Sequence, residues 1–390
     1  MKPLTQVFTY LNLVFVILIL FEITRFVVLE TKTKPGNLLI DARFSVFNSV
    51  KTENQKADTA KPDIFLLIFD AMPSSKAMQQ DLGFSNQLLD TFFQQQGFFV
   101  ARDAKSNYDL TVLSVSSMLN MEYVSREEVQ KGTGINMYYR STSSLLDNSL
   151  VRVLQKEKYH IYQYQPLSIF KNADWNGNLV FGNMLHMNYF YKTFPGRLYR
   201  DLSWNFQRID AFAKEYYRKG SVRKQDDILK TDSLIRNVCN RAGPPKFVYA
   251  HYMLPHVPFY FKADGTIRSF NRSNKAEVSE KVQITDQVQY TNKKITELLN
   301  YIKENNKTNT VIIVMGDHGF KSLQKNSDPE FGFQNLNAVY FPDKDYSYLY
   351  PSLSPVNTFR IVLNKYFSAK LPLLKDSSVI YEFSGPDWEK

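Results

Sequence analysis

Thr310-Val-Ile-Ile-Val-Met-Gly-Asp-His-Gly319 is the stretch whose reading decides the fold. Thr310 to Met315 is an unbroken apolar, β-branched run, the pattern of a strand buried on both faces. It stops at Gly316-Asp317-His318-Gly319, where the glycines are expected to let the backbone turn tightly. Asp317 and His318 are then delivered at the carboxyl end of the strand, where open α/β sheets place their ligands. A carboxylate beside an imidazole suits a divalent metal such as Zn²⁺. Taken alone, the same residues also read as a strand followed by a polar turn.

Working outward, the chain alternates strands and helices. Pro62-Asp-Ile-Phe-Leu-Leu-Ile-Phe-Asp70 reads as a buried strand ending in a carboxylate, residues 74 to 96 as helical, and Gly97–Ala101 as a short strand. Thr111–Met121 reads as a helix entered from Asn107-Tyr-Asp-Leu110. Residues 143 to 157 have helical spacing, with Leu145, Leu146, Leu150, Val153 and Leu154 on one side. His160–Gln165 and Lys246–Met253 return as strands, the latter leading into Leu254-Pro-His-Val-Pro258. Residues 280 to 305 form a long amphipathic helix, Asn337–Pro342 a strand and residues 354 to 367 a helix. Between them, residues 167 to 243 are rich in Tyr, Phe, Asn and Arg and read as a mostly helical insertion or cap. The order predicts an α/β/α three-layer domain around a central, mostly parallel sheet.

With 390 residues, 44% of them hydrophobic, the chain can bury a large core. The net charge of +10 fits an acidic partner, such as anionic lipid headgroups or phosphate-bearing substrates. Nucleic acid is not expected, since there is no clustered Lys/Arg tract and no nucleic-acid fold signature. Cys239 is the one cysteine, so no intrachain disulfide can form. Residues 7 to 21 carry no charge, and residues 8 to 29 are long enough to span a bilayer, which takes about 20 residues. The apolar run leads into Glu22-Ile-Thr-Arg25, a poor cleavage site, so residues 1–30 are expected to be an uncleaved anchor and residues 31–61 a stalk. Lys2 precedes the anchor while Arg25, Lys32 and Lys34 follow it, so the charges set no clear orientation. The chemistry below places the large domain outside the cytoplasm.

Four segments share one design, an apolar lead followed by polar residues at its end. Asp70 closes the first, Thr111 opens a helix after the second, His251 and His256 follow the third, and Asp317 and His318 close the fourth. In a parallel sheet such ends converge on one edge. Each has a structural reading too: Asp70 as a cap for the helix near Ser74, Thr111 as an N-cap, His251 as a satisfied core histidine. His256, between two prolines, is held in a stiff loop. His160 and His186 are read as structural or cap residues. As a set, Asp70, Asp317 and His318 are candidate metal ligands with Thr111 Oγ1 as the fourth. Metal coordination and a helix N-terminus would activate the hydroxyl of Thr111. His251 and His256 are left to grip a phosphoryl oxygen or protonate a leaving alcohol.

Phe69-Asp70 after an apolar strand, Thr111-Val-Leu-Ser-Val-Ser-Ser-Met118, His251-Tyr-Met-Leu-Pro-His256-Val-Pro-Phe259 and Gly316-Asp-His-Gly319 together resemble the sulfatase branch of the alkaline phosphatase superfamily. Within it they look closest to membrane-anchored phosphoethanolamine transferases and lipoteichoic acid synthases. The resemblance covers about residues 62 to 345, with residues 346–390 as the helix and tail of the same domain. It implies an alkaline phosphatase-like fold and a phospho-threonine intermediate on Thr111. Asp70, Thr111, Asp317 and His318 would be metal ligands, for Zn²⁺ in first place with Mn²⁺ or Mg²⁺ as alternatives. His256 would contact substrate phosphate, and His251 would match a second histidine of the same motif. Expected partners are the membrane and a phospholipid or envelope glycan substrate. The sequence departs from the family in four ways. It lacks the Cys/Ser-x-Pro-x-Arg motif of sulfatases proper, and Asp70 stands where the transferases carry Glu. No histidine follows His318, leaving Lys321 or Lys325 as stand-ins, and the disulfides of some transferases are missing. The alternatives are a sulfoesterase or phosphomonoesterase of the same fold, and a non-catalytic envelope scaffold.

Overall fold

The computed structural model describes residues 2–32, 61–124, 134–164, 169–170, 193–206, 209–270, 279–320 and 329–380. Most of the expected stalk, His186, Lys321 and Lys325 lie outside the described residues. Helix α1 (Lys2–Lys32) contains one stretch, Gln6–Thr24, long and apolar enough to cross a membrane. None of that stretch is buried against the rest of the protein.

The globular part is built on a six-stranded mixed sheet of β1 (Asp63–Phe69), β2 (Phe99–Val100), β3 (His160–Tyr164), β4 (Lys246–Tyr252), β5 (Thr310–Met315) and β6 (Asn337–Tyr340). The order is β2-β6-β5-β1-β4-β3. Four neighbouring strands, β5, β1, β4 and the edge strand β3, are parallel, as expected. At the β5 side, β6 and then β2 pair antiparallel, which makes the sheet mixed. Every residue of β1, β4 and β5 is buried, which explains their continuous apolar character.

Helices cover both faces. On one face, α4 (Thr111–Asn120), α5 (Gly134–Leu146), α6 (Ser149–Lys156) and α10 (Pro355–Phe367) pack through Val115, Met118, Leu145, Leu150, Leu154, Phe359 and Val362 onto Ile64, Leu66 and Ile68. On the other, α2 (Ser75–Leu82), α3 (Gln87–Gln95), α8 (Asp210–Cys239) and α9 (Glu280–Asn305) pack onto Phe65, Leu67 and Phe69. Helix α7 (Phe194–Phe206) precedes α8 in the middle region.

Two expected helices are each broken in two. The single helix over 74–96 divides at Gly83, whose φ of 57° is the left-handed conformation glycine adopts without cost. Its N–H caps the carbonyls of Gln79 and Met78. The helix over 143–157 divides at Asp147-Asn148, because the Asn148 side chain accepts from Val151 N and starts a new helix. The apolar spacing across 143–157 correctly marks Leu145, Leu150, Val153 and Leu154 as buried. A hydrophobic stripe records which face is covered and is silent about a capping residue that interrupts it.

Candidate active site

Alternation along the strands assembles the site. Ile64, Leu66 and Ile68 of β1 face the α4 layer, and Asp70 continues that parity one residue beyond the strand. Tyr249 and then His251, still within the strand, share that parity on β4, and Ile313 and Met315 lead to Asp317, two residues beyond β5. The register sets Ile68 opposite both His251 and Met315, so the three strand ends stop level. Asp70 N donates to Tyr252 O at 2.8 Å, which locks that level. Helix α4 lies on the same face and brings Thr111, its first residue, over the strand ends.

Asp70, Asp317 and His318 are buried, and each offers a ligand atom within 4.8 Å of the others. Asp317 Oδ1 accepts from Ala71 N at 2.9 Å and His318 N at 3.0 Å. Its Oδ2 and the Oδ1 of Asp70 have no hydrogen-bond partner among the described residues. His318 Nδ1 lies 2.8 Å from Gly319 O, which can only accept, so Nδ1 carries the hydrogen. Nε2 then faces the two carboxylates, 3.6 Å from Asp317 Oδ2 and 3.8 Å from Asp70 Oδ1. Thr111 Oγ1 lies 3.4 Å from the same Nε2. Two bare carboxylate oxygens, one unprotonated imidazole nitrogen and one hydroxyl form a donor set that fits a tetrahedral divalent cation such as Zn²⁺. Buried oxygens without donors are costly unless a cation meets them.

The structural readings of two residues fail. Ser74, not Asp70, caps α2, accepting from Ala77 N through its side chain. Thr111 is not a cap either. Leu110 holds the N-cap position of α4 and supplies no side-chain hydrogen bond. The start of α4 therefore has no side-chain cap beside the Thr111 hydroxyl, and a helix N-terminus of this kind suits an anion. The glycines of the Gly-Asp-His-Gly turn also act differently from expectation. Neither Gly316 nor Gly319 has positive φ. What they supply is space, since a Cβ on Gly316 would sit 2.2 Å from Met72 O and one on Gly319 2.2 Å from Phe331 O.

The two histidines of the third segment part company. His251 is buried against Asp70, with Nε2 3.5 Å from Oδ2, a charge contact rather than a well-formed hydrogen bond. Its Nδ1 lies 2.9 Å from the Tyr249 hydroxyl. Burial, then the charges of Asp317 and Asp70, hold that phenol well above its ordinary pKa, so it stays a neutral donor. Burial pushes the Asp70 carboxyl up, but His251, His256 and His318 outweigh this and draw it down to about 2. His256 is half-exposed at the rim. Its N–H reaches Asp70 O at 3.1 Å and its Nδ1 lies 2.6 Å from Val257 O.

Sequence reasoning missed the residues that hold the His256 loop. Lys224 of α8 donates through Nζ to His256 O at 2.5 Å and Pro258 O at 3.1 Å. Gln287 of α9 donates through Nε2 to Pro255 O at 2.8 Å and His256 O at 2.9 Å. Burial lowers the Lys224 pKa to about 7, with Asp70 pulling weakly the other way. Nothing in the spacing around Lys224 or Gln287 marks them, because both act across the fold. Ser114 is the exception: it lies in the quoted Thr-x-x-Ser element, and its hydroxyl donates to Asp317 O.

A family model described as Sulfatase matches residues 62–359, and the chain belongs to that family. It is a sulfatase-like hydrolase or transferase with the corresponding alkaline phosphatase-like fold. Among solved structures, the C-terminal periplasmic domain of EptC from Escherichia coli aligns with TM-score 0.50 and 13% identity, over 85% of this chain and 93% of that one. The corresponding domain of the phosphoethanolamine transferase EptC from Campylobacter jejuni aligns with TM-score 0.45 and 12% identity, over 82% and 96%. The lipooligosaccharide phosphoethanolamine transferase EptA from Neisseria meningitidis, an integral membrane protein, aligns with TM-score 0.46 and 12% identity, over 80% of this chain and 56% of that longer one. Of these three, the first supports a common fold. No curated protein sequence matches the chain.

Proposed function

We propose that this protein is a membrane-anchored, metal-dependent enzyme that transfers or hydrolyses a phosphate-linked headgroup through Thr111. The observation that carries the reading is the convergence of Asp70 Oδ1 and Asp317 Oδ2, which have no hydrogen-bond donor among the described residues, with His318 Nε2 beside the hydroxyl that opens an uncapped helix. Asp70, Asp317, His318 and Thr111 would hold the cation. When bound, it would favour the threonine alkoxide and neutralise charge on a phosphoryl oxygen.

The chain's own residues divide the remaining work. Thr111 Oγ1 is the nucleophile, and the first-turn N–H groups of α4 face the oxyanion. His251 stands behind Asp70 and fixes its orientation, a positioning role that replaces the expected substrate contact. His256, at the rim, contacts the phosphoryl group and gives the leaving alcohol its proton. The apolar Gln6–Thr24 helix supports anchoring. The missing Cys/Ser-x-Pro-x-Arg motif weighs against a formylglycine sulfatase.

The test is mass spectrometry of the Thr111 peptide after incubation with phospholipid donors. A phosphate-linked adduct on Thr111, lost in Thr111→Ala, is expected. Turnover of a lipid phosphodiester by Thr111→Ala at the wild-type rate would refute the mechanism. Aryl sulfate, aryl phosphate and bis-aryl phosphodiester assayed side by side separate this reading from the esterase alternatives, and a dominant sulfatase activity would reverse the preference.

A further inference from the structure

Helix α8 changes character along its length. From Ser221 onward, Ser221, Lys224, Ile228, Thr231, Ile235 and Val238 are buried on the sheet side. Before Gly220, no residue of α8 is buried. Gly220 marks the change: a Cβ there would meet Tyr260 Oη at 2.2 Å, so the helix leaves the domain in tight contact with the loop that follows His256. The first part of α8, which follows α7 in the chain, stands off the core except where Tyr217 packs on Tyr260 and Phe270.

Among the described side chains, several large apolar ones are exposed here. On α7 these are Phe194, Leu198 and Leu202, four apart on one face. Ile209, the N-cap of α8, and Tyr216, seven apart, are exposed at the start of α8. All five are between 47% and 73% exposed, where a water-facing helix would carry polar side chains. Val257, next to His256, is exposed as well. Residues 194 to 224 carry eight Lys or Arg against three Asp or Glu. One of those acids, Glu215, is engaged by Arg218 at 2.7 Å.

We infer that the α7–α8 segment is a membrane-contact surface, its apolar face set among the headgroups of an anionic bilayer and its basic side chains paired with lipid phosphates. Large outward apolar residues interleaved with Lys and Arg match an interfacial helix and not a helix in water. The inference rests on the reading of α1 as an anchor, and adds the orientation of the site. Tyr216 lies eight residues before Lys224, about 12 Å along the helix, and Lys224 holds the His256 loop. Seating the segment in the headgroup layer would hold the rim of the site at the depth of a lipid's phosphate.

The test uses the full chain in vesicles containing phosphatidylglycerol. In a Cys239→Ser background, bimane is attached at Leu198→Cys, at Tyr216→Cys, and, as a control at the opposite edge of the sheet, at Lys307→Cys. Shallow doxyl-lipids should quench the first two labels about two-fold or more over the control, as for a face about 5–10 Å into the interface. Leu198→Glu with Leu202→Glu should abolish the quenching at position 216 and raise KM for a vesicle-borne ester, with a soluble aryl ester unaffected. Equal quenching at all three positions overturns the proposal. So does energy transfer between position-198 labels that survives dilution with excess lipid, which would make the surface a contact between two copies. Quenching is read without turnover, so failure of the Thr111 mechanism would leave it unchanged.

Discussion

Strand β1 has a buried aspartate at each end, and the protein treats the two oppositely. Asp63, its first residue, accepts from Lys246 N at 2.8 Å, Asn306 Nδ2 at 3.0 Å and Thr308 Oγ1, with Lys246 Nζ at 3.4 Å. Asp70, just beyond its last residue, has one oxygen with no donor among the described residues and the other facing an imidazole at 3.5 Å. Both are about equally inaccessible to water. Burial of a carboxylate therefore says nothing about function. What matters is whether the protein supplies its counter-charge or leaves the place open for something else.

The comparison can be broken or sharpened by experiment. The largest effect is expected from Thr111→Ala, which should lower turnover on the order of 10^4-fold while the protein keeps its melting temperature. A wild-type rate would remove the open end of β1 from catalysis. Next, Zn²⁺ at about 100-fold over its Kd should stabilise the wild type by about 2.7 kcal/mol, and chelation should reverse it. Asp70→Asn should lose that shift while its metal-free form unfolds close to the metal-free wild type. Equal stabilisation of both proteins would show that the ion binds elsewhere.

At the satisfied end the signs are reversed. Asp63→Ala removes the counter-charge of the buried Lys246 Nζ, which keeps its bonds to Val238 O, Arg241 O and Asn306 Oδ1, and should cost about 3–5 kcal/mol of stability in urea unfolding, with activity per folded molecule kept. Lys224→Met should lower kcat/KM by about 10- to 100-fold through the His256 loop without altering metal content. It also has a pH signature. Burial puts the native pKa of Lys224 near 7, below the 10.5 of an unperturbed lysine, so between these values the unfolded chain holds the extra proton. The stability that wild type shows relative to Lys224→Met should therefore rise with pH across that window and level off above it. Smallest, Ser114→Ala removes one hydrogen bond to Asp317 O and should cost about 1 kcal/mol.

Half of the candidate site could be read from the chain because it sits on strands. The apolar runs before Asp70, His251 and Asp317 declare buried parallel strands, and the polar residue ending each run declares the edge. Helix interruptions at Gly83 and Asn148 were hidden because the apolar stripe continues across both breaks. The reason for Gly316 and Gly319 was hidden too, since the clash a Cβ would make is with Met72 O and Phe331 O, on other segments.

The sequence by itself determined the strands, the layer order, the segments that carry chemistry and the family to which they belong, because these follow from local periodicity and from short motifs at strand ends. Tertiary structure alone decided that one oxygen of Asp70 lacks a donor among the described residues where Asp63 accepts three hydrogen bonds and pairs with Lys246, that His251 is buried while His256 stands at the rim, and that Lys224 and Gln287 hold the His256 loop. Each depends on which atoms meet across many residues of intervening chain, and the pattern along a chain does not encode how far apart its distant side chains come to rest.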